Sequence, residues 1–237
     1  MAPPELSAII LCYRAEENIR HVVEPLHRDL VESDVTFEVV LVGNYNEGQV
    51  DRTPEVVRVL AEELKGVRTV IKPKEGAMGW DMRTGLEAAT GECLVVIDGD
   101  AQNPVEDVLR MYREMRRTGA DVMKGRRIAR FDGPYRRLVS YVYNSVFMLL
   151  FRTQGLWDIN GKPKGLTRDA YERMDLRSDD WFIDAEIVLA ARRAGLRVNE
   201  LPVVFNRNEE RASFVRASAI LEFVRNMARA RAKRWRE

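Results

Sequence analysis

The segment Asp98-Gly-Asp100-Ala-Gln102-Asn-Pro104 sets two carboxylates and one amide close together, directly after the apolar run 94–97. Two carboxylates two residues apart at the tip of a buried strand present hard oxygen atoms in one place, and the Gln102 oxygen adds a third. Mg2+ or Mn2+ takes such a set, held by one or two carboxylates with substrate phosphates and water completing an octahedron. An isolated Asp-x-Asp is also common in turns and caps. The strand before it, the Gln after it and the Pro that opens the next helix narrow the reading to a metal site made of Asp98, Asp100 and Gln102. A second acidic pair, Asp184 and Glu186 in Trp181-Phe-Ile-Asp-Ala-Glu186, could supply a general base or simply favour the first turn of a helix.

Elements that place these residues follow from periodicity. Short runs rich in Val, Ile and Leu at 6–13, 37–43, 68–71 and 93–97 alternate with helical patterns at 16–31, 54–64, 79–89 and 105–118. Such alternation predicts an α/β fold: a mostly parallel sheet covered by helices on both faces, in three layers. Ligands of these sheets bind at the carboxyl ends of the strands, where the 98–104 motif falls. Thr53 is placed to cap the helix at Pro54, Asn103-Pro104 to start another, and Gly91 and Gly119 to end two. Beyond residue 120 the pattern changes to a strand at 121–125, a long apolar helix after Pro134, a helix at 181–194, a strand at 197–205 and a terminal helix. One catalytic-type domain over 1–213 and a basic amphipathic tail over 214–237 is the economical division.

Charge and cysteine usage exclude some classes. With 38 basic and 37 acidic residues in 237, no general affinity for nucleic acid is expected. The basic residues Arg225, Arg229, Arg231, Lys233, Arg234 and Arg236 are uninterrupted by any acid. Cys12 and Cys93 lie in apolar runs, which fits a reducing compartment rather than a disulfide framework. Residues 1–5 lack the features of a signal peptide, and no apolar run reaches the roughly 18–20 residues that span a bilayer. The run 138–151 is shorter and interrupted by Ser140, Asn144 and Ser145. The expected location is cytoplasmic, soluble or peripheral.

Asp98-Gly-Asp-Ala-Gln-Asn-Pro104 resembles the Asp-x-Asp-x-Gln-His-Pro motif of dolichyl-phosphate mannosyltransferases and their polyprenyl-phosphate relatives, inverting family 2 glycosyltransferases of the A-type, Rossmann-like fold. The likeness runs on through Gly85-Leu86 to Gly91-Glu92, Lys124-Gly-Arg-Arg127, Arg136-Arg-Leu-Val-Ser140, Asp158-Ile-Asn-Gly-Lys-Pro-Lys164 and Ala194 to Val203. It implies that Asp98, Asp100 and Gln102 hold the metal and that Arg127, Arg136, Ser140 and Lys164 surround phosphates, with Arg207, Arg211 and Ser213 near the end of the chain. Tyr13, Asn44, Asp98 and Gly99 would face the nucleotide, GDP- or UDP-linked. The chain departs from the pattern in places. Leu11-Cys-Tyr13-Arg-Ala15 stands for Pro-x-Tyr-Asn-Glu, Gly43-Asn44-Tyr-Asn46 for Asp-Asp-Gly-Ser, and Arg211-Ala-Ser213-Phe214 only loosely echoes Gly-x-Ser-Lys.

The chemistry is consistent with those residue types. A nucleoside diphosphate leaves readily once a divalent cation stabilises its growing charge. An acceptor that is a polyprenyl phosphate is already ionised and needs cations and alignment rather than a strong base. A sugar hydroxyl would instead want Asp184 or Glu186. A nucleotidyltransferase would want a Gly-rich loop after the first strand, and 11–17 contains no glycine. A non-catalytic membrane-associated partner is the other alternative, disfavoured by the intact Asp98, Asp100 and Gln102. Arg136 and Arg137 ahead of the 138–151 run, and Phe214, Ile220, Phe223, Val224, Met227 and Trp235 near helical spacing beside the basic tail, are expected to meet an anionic membrane surface. Trp80, Trp157 and Trp181 read as packing anchors.

Overall fold

The computed structural model describes residues 2–130, 134–153, 155–206, 225–228 and 231, and for residues 130 and 134–139 the backbone alone. Seven strands form one sheet: β1 (Leu6–Leu11), β2 (Phe37–Val42), β3 (Val67–Val70), β4 (Cys93–Asp98), β5 (Val122–Arg130), β6 (Lys164–Thr167) and β7 (Val198–Phe205), in the order β3-β2-β1-β4-β6-β5-β7. Helices α1 (Arg20–Val31), α2 (Thr53–Glu63) and α4 (Glu106–Thr118) cover one face, and α3 (Met78–Ala88), α6 (Arg168–Met174) and α7 (Ile183–Arg193) cover the other. β1, β2 and β4 are largely buried runs rich in Val, Ile and Leu because both faces are covered, whereas β3, at the sheet edge, reads Val-Arg-Thr-Val with only Val67 buried. This is the expected three-layer α/β arrangement.

The departures lie mainly in the second half. β6 runs antiparallel to both β4 and β5. Its four residues Lys-Gly-Leu-Thr carry no apolar run, so periodicity does not announce it. Thr53 does not cap α2. Asp51 Oδ1 takes the Thr53 N–H at 3.0 Å, and the buried Thr53 hydroxyl accepts from Glu16 N at 3.0 Å. Helix α4 starts at Glu106, two residues after Pro104. Gly119 ends α4 in the left-handed conformation at φ 64°, as a C-terminal glycine should. Gly91 serves a close approach instead, since a Cβ there would lie 2.6 Å from Ser7 Oγ.

Helix α5 (Pro134–Phe151) stands outside the two helical layers. Phe147 and Phe151, one helical turn apart, are fully buried against Leu156, Ile159, Phe182 and Met227. Burial of each such ring contributes roughly 1.5–3 kcal/mol and fixes the helix. The opposite face is uncovered: Tyr141, Val142, Val146 and Leu149 are 69%, 51%, 40% and 82% exposed. Among the described residues no helix is long and apolar enough to cross a membrane.

Candidate active site

The carboxyl end of β4 delivers the acidic motif. Gly99 donates its N–H to Leu11 O at 2.9 Å, pinning the strand end to β1. A Cβ on Gly99 would meet Ile19 Cδ1 at 2.5 Å and Leu11 O at 2.9 Å, so the glycine lets the strand end pack closely on its neighbours. Ala101 turns through φ 57°, and Asp100 Oδ1 takes the Gln102 N–H at 3.1 Å. Asp98 and Asp100 both remain half-buried. The Gln102 amide donates to Asn206 O at 3.0 Å, which commits its donor end and leaves its oxygen as the end that could serve a cation.

Asp98 already has a cation beside it. Lys162 Nζ lies 2.7 Å from Asp98 Oδ1, with the lysine side chain only 3% exposed. Burial works against that charge, but Asp98, Asp184 and Asp100 outweigh it and hold the ammonium above its ordinary pKa.

On the β1–β2 side, Asn44 does not face a nucleotide. It is fully buried. Its amide donates to Asp81 Oδ1 and Thr84 Oγ1 at 3.0 and 2.9 Å, and its oxygen accepts from Lys72 N at 2.9 Å. The amide is thereby a brace between β2 and α3, in place of the base contact expected of it. Asp81 pairs with Lys74, whose ammonium lies 4.3 Å from the centre of the Tyr13 ring. Burial raises the Asp81 carboxyl, and Lys74 and Asn44 oppose the shift. Tyr13 also accepts from Asn46 Nδ2 at 2.9 Å. Tyr13, Lys74 and Asn46 are thus joined by contacts on this side, with the Lys74 side chain buried.

The second half of the sheet carries the cations. Arg127 grips Asp158 with two guanidinium N–H bonds of 2.7 Å, while its backbone N–H adds a third at 3.1 Å. Burial raises the Asp158 carboxyl, but these bonds dominate and bring it down to about 2. Lys164, expected at a phosphate, is wholly enclosed. Its ammonium donates to Ile159 O and Gly161 O at 2.8 and 3.0 Å and lies 3.1 Å from Asp184 Oδ1. Asp184 is therefore an interior counter-charge, not a base facing an acceptor. Glu186 accepts the N–H groups of Arg177 and Ser178 at 3.1 and 2.8 Å, which ties down the loop before α7. Asp184 is thus engaged by a buried lysine, and Glu186 by backbone donors.

A cleft of about 450 Å³ opens between the end of β5 and α5, lined by Arg126, Arg127, Ser140, Asn144, Trp157 and Asp158 among others. Ser140 lines this cleft. Trp157 is 53% exposed, with the Arg126 guanidinium 5.8 Å from its ring centre, so it is a surface platform rather than a packing anchor. Contacts connect this cleft to the acidic motif: Asn206 donates to Gln102 O at 2.8 Å, and the Arg127 guanidinium lies 5.2 Å from the neighbouring Phe205 ring. Arg207, Arg211, Ser213, Phe214, Ile220, Phe223, Val224 and Trp235 lie outside the described residues, as does the Arg136 side chain. Met227 packs inward on Phe147 and Phe151, so that part of the tail stripe covers the protein's own core.

Lys162, Lys74, Asp81 and Arg126 were not singled out by residue type alone. The available signal was position: Lys74 follows the third strand, and Lys162 and Arg126 flank the residues that the resemblance had marked.

Among the described residues no group of three or more His, Cys, Asp or Glu is arranged to hold a metal ion by itself. Two carboxylates and an amide oxygen nevertheless fit a hard cation whose remaining ligands come from phosphate and water. Residues 7–175 match the family described as Glycosyl transferase family 2. The chain is 31% identical over 211 residues to glycosyltransferase AglD of Haloferax volcanii, covering 84% of this chain and 32% of that protein. It is 25% identical over 215 residues to dolichyl-phosphate beta-glucosyltransferase ALG5A of Trichomonas vaginalis, covering 85% and 65%. The chain thus spans about a third of the first relative's length and just under two thirds of the second's. Glucosyl-3-phosphoglycerate synthase from Mycobacterium tuberculosis, solved with Mn2+, UDP-glucose and phosphoglyceric acid, shares the fold at TM-score 0.67 and 16% identity, over 88% of this chain and 73% of that one.

Proposed function

The chain belongs to glycosyl transferase family 2, and from that premise we propose that it moves a sugar from a nucleoside-diphosphate donor to a polyprenyl phosphate at a membrane surface, with inversion. The observation that carries the proposal is the adjacency of two unlike regions: half-buried Asp98 and Asp100 at the end of β4, and a cleft bearing Arg126, Ser140 and Trp157 under the uncovered apolar face of α5.

Asp98, Asp100 and Gln102 would hold Mg2+ or Mn2+, which when bound neutralises charge growing on the departing diphosphate. Tyr13, with the Lys74 ammonium against its ring, would face the nucleotide. A UDP-linked donor is favoured by the UDP-glucose complex of the structural neighbour; GDP is the alternative. Arg126 and Ser140, with Arg127 behind them, would receive the acceptor phosphate. One of its oxygens forms the bond to the sugar's anomeric carbon as the bond to the diphosphate breaks, and that electron pair leaves with the nucleoside diphosphate. No proton has to be removed. The burial of Asp184 against Lys164 and the engagement of Glu186 by backbone N–H groups favour this acceptor over a sugar hydroxyl. The dolichyl-phosphate acceptor named for one relative points the same way.

Tyr141, Val142, Val146 and Leu149 would lie at the bilayer interface, with basic residues of the tail drawn to anionic lipid at roughly 1 kcal/mol each. The test is transfer from UDP- and GDP-sugars to a polyprenyl phosphate in anionic liposomes. Asp100→Asn, or EDTA, is expected to lower turnover about 10²–10³-fold without shifting the melting temperature. Transfer to free sugars with polyprenyl phosphate inert, or undiminished turnover in EDTA, would overturn the proposal.

A further inference from the structure

Lys162 is a buried cation that touches the acidic motif and that the mechanism above does not use. Its ammonium is 2.7 Å from Asp98 Oδ1 and touches Met78 at the first turn of α3. Its carbonyl accepts from Asn103 Nδ2 at 2.8 Å. The loop that carries Asp98 and the loop that carries Lys162 are therefore clasped twice, once through the ammonium and once through the carbonyl. The backbone there has no room to retreat, since a Cβ on Gly125 would collide with the Lys162 carbonyl. The ammonium is held on the carboxylate by the fold rather than by chance of rotamer.

A divalent ion on Asp98 and an ammonium on the same carboxylate repel one another, and little water lies between them to screen the repulsion. A metal alone meets that repulsion in full. A metal that arrives with a diphosphate brings anionic oxygens that attract the ammonium instead. We propose that Lys162 is a resident counter-cation of the Asp98–Asp100 site, which disfavours metal binding alone and couples metal uptake to the nucleotide diphosphate. This rests on the metal-dependent donor reading above. Lys162 is in this sense a positioning residue that sets the order in which the donor complex assembles.

The experiment is a Mn2+ titration of the full chain followed by electron paramagnetic resonance, with and without UDP. Lys162→Met is expected to bind Mn2+ alone at least about fivefold more tightly than the unmodified protein, the lower end of ordinary coupling between sites. UDP should then improve Mn2+ binding by a correspondingly smaller factor. Lys162→Gln, which keeps a donor for Asp98 but removes the charge, should behave likewise and serves if Lys162→Met does not fold. Lys162→Arg should retain the coupling. Unchanged or weaker Mn2+ binding in the neutral variants, with UDP-assisted binding intact in the unmodified protein, overturns the inference alone. If the unmodified protein takes up no Mn2+ with UDP or GDP, the metal-dependent reading fails and the inference falls with it.

Discussion

The acidic motif at the end of β4 and the strands β5 to β7 beyond it treat charge in opposite ways. At the end of β4, Asp98 and Asp100 are half-buried and keep part of their surface exposed. At β5, β6 and β7 the charges are interior and matched one to one: Lys124 with Glu200, Arg127 with Asp158, Lys164 with Asp184. Burial brings Lys124 down to about 8 even with Glu200 beside it, whereas Asp158 is driven down to about 2 by Arg127. Partly exposed carboxylates suit an ion that comes and goes with substrate. Enclosed pairs suit a scaffold, because separating them would leave a bare charge in a medium that cannot solvate it. Arg126, exposed at the cleft rim, is the cation of the second half best placed to meet a substrate.

The strongest break of this contrast is Lys164→Ala. Removing one partner of a buried pair costs about 3–5 kcal/mol, and each kcal/mol moves the melting temperature of a chain this size by roughly 2–4 °C. Calorimetry should show a large drop. A variant that melts normally but binds polyprenyl phosphate poorly would return Lys164 to the substrate site.

A smaller effect concerns acid. The folded Asp158 carboxyl titrates near 2, below its ordinary range, so its contribution is present above about pH 4 and is lost as pH falls from 4 toward 2. A shift of this size corresponds to roughly 2 kcal/mol. Denaturant unfolding at pH 5 and pH 2.5 should therefore show the unmodified protein losing about that much more stability than Asp158→Asn does. Equal losses would mean that Arg127 is not fixed on Asp158 in solution and remains available to phosphate.

Arg126→Ala sharpens the contrast most gently. Loss of one charge-assisted phosphate contact should raise KM for the polyprenyl phosphate about tenfold, with UDP binding and melting temperature unchanged. A matching loss in nucleotide binding would place Arg126 on the donor side.

What the chain declared without its fold was local. Asp98 to Pro104 is contiguous, follows a run of buried-strand residues and opens a helix, so its position at a strand end could be read directly. The alternation of short apolar runs with amphipathic helices likewise yielded the α/β layers, because side-chain period is a property of neighbours in sequence. Tertiary structure alone decided which charged residues face substrate. Asn44 braces Asp81 across 37 positions, Lys162 reaches Asp98 across 64, and Lys164 meets Asp184 through a short antiparallel strand that no periodicity announced. Residue type records that a lysine or carboxylate carries charge. Its use depends on burial and on the partner it meets, and both are set by segments far apart in the chain that close packing brings together.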